Sequence, residues 1–224
     1  MTAVQPSNVR CACCGEHSSQ ALPPASSEFG ACDLDHRPPE TMRSTMESWL
    51  QECLHCGYVA ADLGQAGESD RRLVKTDRYQ VLRHGPYVSR LSGRFLLRAV
   101  LDSLGGHRER AFANAICAAW DADDRDLREA ARSLRRRAAS YLKGHDENSV
   151  ELKLRLLDVH RRASDWKSAD LMARHLAGQG LDTQMSAILA FQVRRIHAKD
   201  EAAYTVAHAL SGDLGAEHRL RILR

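Results

Sequence analysis

From about residue 88 onward, apolar residues recur at helical spacing. Phe112, Ala115, Ile116 and Ala119 fall at i, i+3, i+4 and i+7. Leu127, Ala130, Ala131, Leu134, Ala138, Tyr141 and Leu142 continue one stripe over four turns, and Met185, Ile188, Leu189 and Ile196 form another. Polar or glycine-bearing breaks separate these stripes: GG at 105–106, DADD at 121–124, KGHDEN at 143–148 and GQG at 178–180. Asp124, Asn148 or Ser149, and Asp182 are suited to cap the helices that follow, because their side-chain oxygens can accept from the first free amides. The pattern predicts helices near 69–83, 88–104, 107–121, 125–142, 149–163, 166–178, 182–198 and 201–211. The connections are short, so neighbouring helices are expected to run antiparallel.

The pairs 107–142, 149–178 and 182–211 recur every 33 to 42 residues. That period is close to the unit of tetratricopeptide (TPR) repeats, so TPR-like packing is expected. An irregular helical bundle is the alternative.

The first part of the chain is built differently. Residues 1–62 hold five of the six prolines and six of the seven cysteines. Proline fixes φ and removes an amide donor, so PP at 23–24 and 38–39 excludes long helices there. The expected plan is a small β ribbon over 1–62, a connecting segment over 63–87, and an α-helical domain over 88–224. The fold class is mainly α: a small β zinc ribbon followed by TPR-like antiparallel helix pairs.

Composition adds boundaries. The chain has 224 residues, 43% hydrophobic and 27% charged, as in globular proteins. No apolar run approaches the ~18 residues of a membrane span, and MTAVQPSNVR lacks a signal-peptide core. A cytoplasmic protein with no membrane association is expected. The net charge of +3 divides into −3 over residues 1–87 and +6 over 88–224, less dense than the basic stripe of an obligate nucleic-acid binder.

Two matched fragments carry the chemistry. Cys11-Ala-Cys13-Cys14-Gly15 and Cys53-Leu-His-Cys56-Gly57 both read C-x-x-C-G. A two-residue gap in a tight turn lets both sulfurs face one ion, and the glycine takes the conformation that turns backbone amides toward them. Two such knuckles supply four thiolates, the ligand set of tetrahedral Zn²⁺. The expected metal ligands are Cys11, Cys14, Cys53 and Cys56. Cys13, Cys32 and Cys117 are surplus, the last as a small core residue. Four thiolates leave no open position for water, so the zinc is expected to be structural rather than catalytic, and the protein not an enzyme. A redox C-x-x-C fits less well, since neither motif opens a helix in a βαβ unit.

Between the knuckles lies a second feature, Phe29-Gly-Ala-Cys-Asp33-Leu-Asp35-His36-Arg37-Pro-Pro-Glu. In an extended segment Asp33, Asp35 and Arg37 would share one side. They are expected to form an internal ion-pair network. With His36 they could instead act as acid and base, but no nucleophile or phosphate-cradling loop accompanies them.

The combination of C-x-x-C-G, FG-x-x-DLD-x-RPPE-x-x-R and W-x-x-x-C-x-x-CGY resembles a bacterial family. In it a CPxCG-type zinc ribbon with this insert precedes a TPR-like helical region. The matching residues are Phe29, Gly30, Asp33, Leu34, Asp35, Arg37, Pro38, Pro39, Glu40, Arg43, Trp49 and both knuckles, all within residues 11–58. Ala12 and Leu54 stand where the family has proline, and Cys32 also replaces an expected proline. The resemblance implies metal binding and the domain plan, and no particular activity.

Arginine runs at 135–137, 161–162 and 194–195 complete the candidates. Arg136, Arg137, Arg162 and Arg195 could line a groove for an acidic peptide or a phosphate backbone. Trp49, Trp120 and Trp166 flank or join apolar patterns and are expected to pack. The expected role is a zinc-stabilised, non-enzymatic protein-interaction or adaptor module with an unknown protein partner. A nucleic-acid binder and a zinc- or thiol-dependent enzyme or redox sensor are the alternatives.

Overall fold

Short strands open the chain because glycine-bearing turns and prolines leave no room for helices. A computed structural model describes residues 6–22, 28–144 and 149–211. β1 (Pro6–Arg10) pairs antiparallel with β2 (His17–Ala21), and β3 (Gln51–Glu52) with β4 (Val59–Ala60). A 3-10 helix, Arg43–Ser48, precedes β3. The α-helices that follow are α1 (Glu68–Leu73), α2 (Asp77–Arg83), α3 (Arg90–Leu104), α4 (Arg108–Asp124), α5 (Arg128–Tyr141), α6 (Val150–Arg162), α7 (Trp166–Ala177) and α8 (Thr183–His197). The protein is mainly α with a small β region.

The chain forms two compact units, 1–28 with 40–142 and 29–39 with 143–224. Composition divides the chain at 62 and 87, whereas contact divides it after Leu142 and lifts eleven residues of the insert into the second unit.

In the first unit α3, α4 and α5 pack in sequence. Ser89 starts α3 with a reciprocal capping box: its hydroxyl accepts from the Ser92 amide while the Ser92 hydroxyl accepts from Ser89 N–H. The buried faces carry Phe95, Ala99, Phe112, Ala115, Ile116 and Ala119. Trp49 meets Phe95 and Trp120 edge-on, with ring centroids 6.4 and 6.5 Å apart, which joins the 3-10 segment to the helices. Two α3 arginines reach the second hairpin: Arg94 donates to Leu50 O at 2.8 Å, and Arg98 to Val59 O at 3.2 Å. Arg98 also pairs with Asp70 and Asp102, while Asp70 accepts from the Tyr58 hydroxyl.

One turn geometry joins α3 to α4, α4 to α5 and α6 to α7. Each helix ends on a residue of positive φ: Gly106 at 83°, Asp126 at 56° and Ser164 at 55°. The next amide bonds back to the carbonyl five residues earlier: His107 to Asp102, Leu127 to Ala122 and Asp165 to His160. This is the Schellman arrangement, which satisfies otherwise orphaned helix carbonyls. Lys199 (φ 53°) and the Asp200 amide repeat it after α8.

Several boundaries differ from the sequence pattern. Asp124 closes α4 rather than capping α5, because the Schellman turn places Leu127 at the start of α5. Ser149 and Asp182 do cap α6 and α8, accepting from Leu152 and Met185; Asn148 lies outside the described residues. The helix expected at 69–83 is two, since Thr76 ends one and caps the next, accepting from Tyr79 N–H. The helix expected at 201–211 begins only at 206, because 201–204 is irregular and its backbone is used by the insert.

The second unit has its core in Leu154, Leu157, Ala169, Ala173, Leu176, Leu189 and Ile196, with Trp166 packed against it. The insert completes a smaller cluster, Leu34 with Phe191 and Ala209. The Leu34 amide donates to Tyr204 O, the Val206 amide to Cys32 O, and Asp33 bridges Thr205. Glu28 bridges Thr41, both in the first unit, so the chain leaves and re-enters that unit at one place.

Candidate metal centre

The two knuckles occupy equivalent hairpin turns. Arg10 pairs with His17 and Glu52 with Val59, so each hairpin closes over six residues, 11–16 and 53–58. The internal bonds match. Cys11 N–H donates to Glu16 O at 2.9 Å and Cys53 N–H to Tyr58 O at 2.8 Å. Gly15 N–H reaches Cys11 O and Gly57 N–H reaches Cys53 O, both at 2.8 Å. Both glycines have positive φ, 83° and 77°. Shared sequence grammar therefore produces a shared fold, related by an approximate two-fold repeat.

The repeat brings the four expected sulfurs together. Cys11 Sγ lies 3.7 Å from Cys56 Sγ, and Cys14 Sγ lies 3.6 Å from Cys53 Sγ. All four lie within 4.8 Å of one another, close enough to hold a metal ion. Four thiolates at about 2.3 Å from a tetrahedral ion sit about 3.8 Å apart, so the two cross-knuckle edges already have the required length. The Cys13 amide donates to Cys11 Sγ at 3.4 Å.

Cys13 has no place in this shell. Burial, followed by the neighbouring Cys11 charge, pushes its thiol up to about 12, which keeps it protonated. Burial also raises Cys14 and Cys56. Cys53 is lowered: burial opposes this, but hydrogen bonds from the Cys56 and His55 amides and from the Cys14 and Cys11 thiols outweigh it. Four crowded thiolates repel one another, so without a cation the cluster retains protons. A bound metal ion would displace them.

Helix α2 locks the second knuckle. Tyr79 OH donates to Gly57 O at 2.8 Å, Gln80 to Cys56 O at 2.9 Å, and Arg83 to His55 O at 3.1 Å and Leu54 O at 2.6 Å. Every carbonyl from 54 to 57 thus has a side-chain donor. Sequence reasoning missed these three residues. Their positions i, i+1 and i+4 on a short helix just after the knuckle were the available signal. The hairpins are also joined directly: Gln20 donates to Glu52 O at 3.0 Å and accepts from Glu52 N–H at 3.3 Å.

Gly57 is constrained twice. Its φ is positive, and a Cβ there would lie 2.5 Å from Arg83 Cδ, whereas at Gly15 the nearest atom would be Arg10 Nη2 at 3.7 Å. Gly57→Ala should therefore cost about 2–3 kcal/mol and Gly15→Ala about 1 kcal/mol, read as denaturation midpoints of the metal-loaded protein. Equal costs would show that the Arg83 contact is unimportant.

The insert residues are all buried: Asp33, Asp35 and Arg37. The segment turns rather than extends, with His36 at φ 66°, so shared parity does not set their direction. Asp35 accepts from Arg162 Nη1 at 2.6 Å and from the Arg37 amide, while its carbonyl accepts from Arg155. Beside it, Arg161 pairs with Asp158 at 2.6 Å, with both side chains fully enclosed. Burial raises the Asp158 carboxyl; Arg161 works against this and the Asp35 charge adds to it.

One of the four candidate partner-binding arginines, Arg162, is therefore corrected, and a second, Arg195, is engaged within its own unit. Arg162 is 8% exposed and spent on Asp35. Arg195 lies over the T-shaped Phe191–Tyr204 pair, 4.8 and 4.6 Å from the ring centroids, and bonds Asp200, with 37% of its side chain still exposed. Both cross-link the second unit, Arg162 from a buried position and Arg195 from a half-exposed one. Arg136 and Arg137 are exposed on α5 of the first unit. No described helix is long and apolar enough to cross a membrane. No protein-family model, curated protein or solved structure matches the chain.

Proposed function

We propose that the four-cysteine centre holds one structural zinc ion, and that the chain is a non-enzymatic interaction module whose ribbon the zinc fixes. The observation that carries this reading is the pair of matched knuckles with four sulfurs at tetrahedral spacing. Sulfur-only donors favour zinc over the oxygen-seeking cations. Four thiolates complete its shell, so no coordination site is left for a reacting water. α2 satisfies the second knuckle's carbonyls with side chains, which suits a centre built to stay still. The ribbon's motifs and insert support placement in the bacterial family with a zinc ribbon and TPR-like helices. Seven unbridged cysteines fit a reducing, cytoplasmic setting.

Purified protein should carry one zinc per chain. Mild chelation should not remove it, and the four ligand thiols should resist alkylation until the chain is unfolded. Rapid alkylation of Cys53 or Cys56 in the folded, metal-loaded protein would overturn the structural reading and favour a thiol-based activity.

A further inference from the structure

The two knuckles have the same fold and unequal surroundings. Residue for residue, Ala12, Cys13, Cys14 and Gly15 correspond to Leu54, His55, Cys56 and Gly57. α2 supplies donors to all four carbonyls of the second set. In the first set only Gly15 O is matched, by Arg10 Nε at 3.1 Å. Among the described residues, none donates to the carbonyls of Ala12, Cys13 or Cys14. Gly57 is buried beneath Arg83, whereas Gly15 is only half-buried; Cys14 is exposed, whereas its counterpart Cys56 is half-buried. Beside the first knuckle lies a cavity of about 600 Å³, lined by Asn8, Arg10, Ala12, Gly15, Gly64 and Arg71 among others. Arg10 and Arg71 are both exposed, and Arg71 has no ion-pair partner among the described residues.

We propose that this open first knuckle is the docking site for an acidic peptide segment of a protein partner, which does in trans what α2 does in cis. The proposal rests on the interaction-module reading and names its surface. The chemistry of the cavity selects the occupant. The knuckle that borders it leaves the Ala12, Cys13 and Cys14 carbonyls without a donor among the described residues; these accept and cannot donate, so the occupant must bring N–H or O–H groups. The cavity's flanks offer two guanidinium groups, so the occupant must also bring carboxylates. A peptide carrying Gln or Tyr beside Glu or Asp supplies both. A nucleic-acid backbone supplies only acceptors at its phosphates.

The test titrates isotope-labelled, zinc-loaded protein with short helical peptides bearing Tyr, Gln and two Glu on one face. Controls are the same peptides with Gln in place of Glu, and inorganic phosphate. Amide shifts should concentrate at Ala12–Gly15 and Arg71. Arg71→Gln and Arg10→Gln should each weaken binding about tenfold while zinc content stays at one per chain, and Arg137→Gln should change nothing. Three results overturn the proposal: no shifts at the first knuckle with any acidic peptide, binding that survives loss of both arginines, or equal shifts with phosphate. Each leaves the zinc reading intact, because zinc content is measured separately on the same samples. Loss of zinc from wild-type protein would remove the zinc reading instead.

Discussion

Cys56→Ser should abolish metal retention and unfold both hairpins, while Cys13→Ser should do neither. The two side chains lie in different knuckles, one position apart in the shared pattern, and both are half-buried, so the contrast isolates ligation from packing. Cys56 Sγ is 3.7 Å from Cys11 Sγ across the centre, and Cys13 is outside the shell. Structural zinc supplies on the order of 10 kcal/mol of apparent binding energy in small domains, comparable to the whole stability of an ordinary fold. The hairpins are short, two of their four strands being two residues long, and such ribbons are marginal alone. Metal content and amide-shift dispersion of residues 6–21 and 51–60 give the readout. Equal damage from both substitutions would sink the ligand assignment.

Arg162→Met should destabilise the second unit by about 3–5 kcal/mol, because it removes the guanidinium paired with the Asp35 carboxylate in a site with no access to water. Asp35 is 0% exposed and lies near Asp158, whose own carboxyl is raised by burial first and by the Asp35 charge as well. Removing one guanidinium leaves two buried carboxylates with less compensation. The double variant Asp35→Leu/Arg162→Met should regain most of the loss, since a well-packed apolar pair can replace a buried ion pair. Urea denaturation with hydrogen exchange at Leu157 and Leu176 resolves the unit concerned. A single variant costing under about 1 kcal/mol, or a double variant no better than the single, would show that Asp35 is satisfied by other groups.

The four-cysteine cluster was legible because its information is local. Cys-x-x-Cys-Gly specifies sulfur spacing and turn conformation within five residues, and its duplication fixes the number of sulfurs that meet. Helix existence was legible for the same reason, through stripes such as Phe112–Ala119. The Schellman turns were not, because Asp126 and Ser164 adopt positive φ where sequence alone marks only a polar break. The insert was misjudged in another way. Parity suggested one face for Asp33, Asp35 and Arg37, but their direction is set by a turn at His36 and by Arg162, 127 residues from Asp35. Arg162 and Arg195 looked like surface charge because arginine reads the same whether it faces water, an aspartate or a pair of rings.

A chain is synthesised from one end, and the insert belongs to a unit whose other residues come last. Asp35 emerges 127 residues ahead of Arg162, roughly ten seconds at ordinary elongation rates. During that interval its carboxylate must stay in water, with nothing yet made to bury it. The ribbon, in contrast, has all four sulfurs as soon as Cys56 has left the ribosome. With Glu28 bridged to Thr41 at its base, the insert can wait as a loop of fixed ends. A metal ion held by those sulfurs would then act early, since the ribbon that carries the insert is complete before the insert's eventual neighbours are translated.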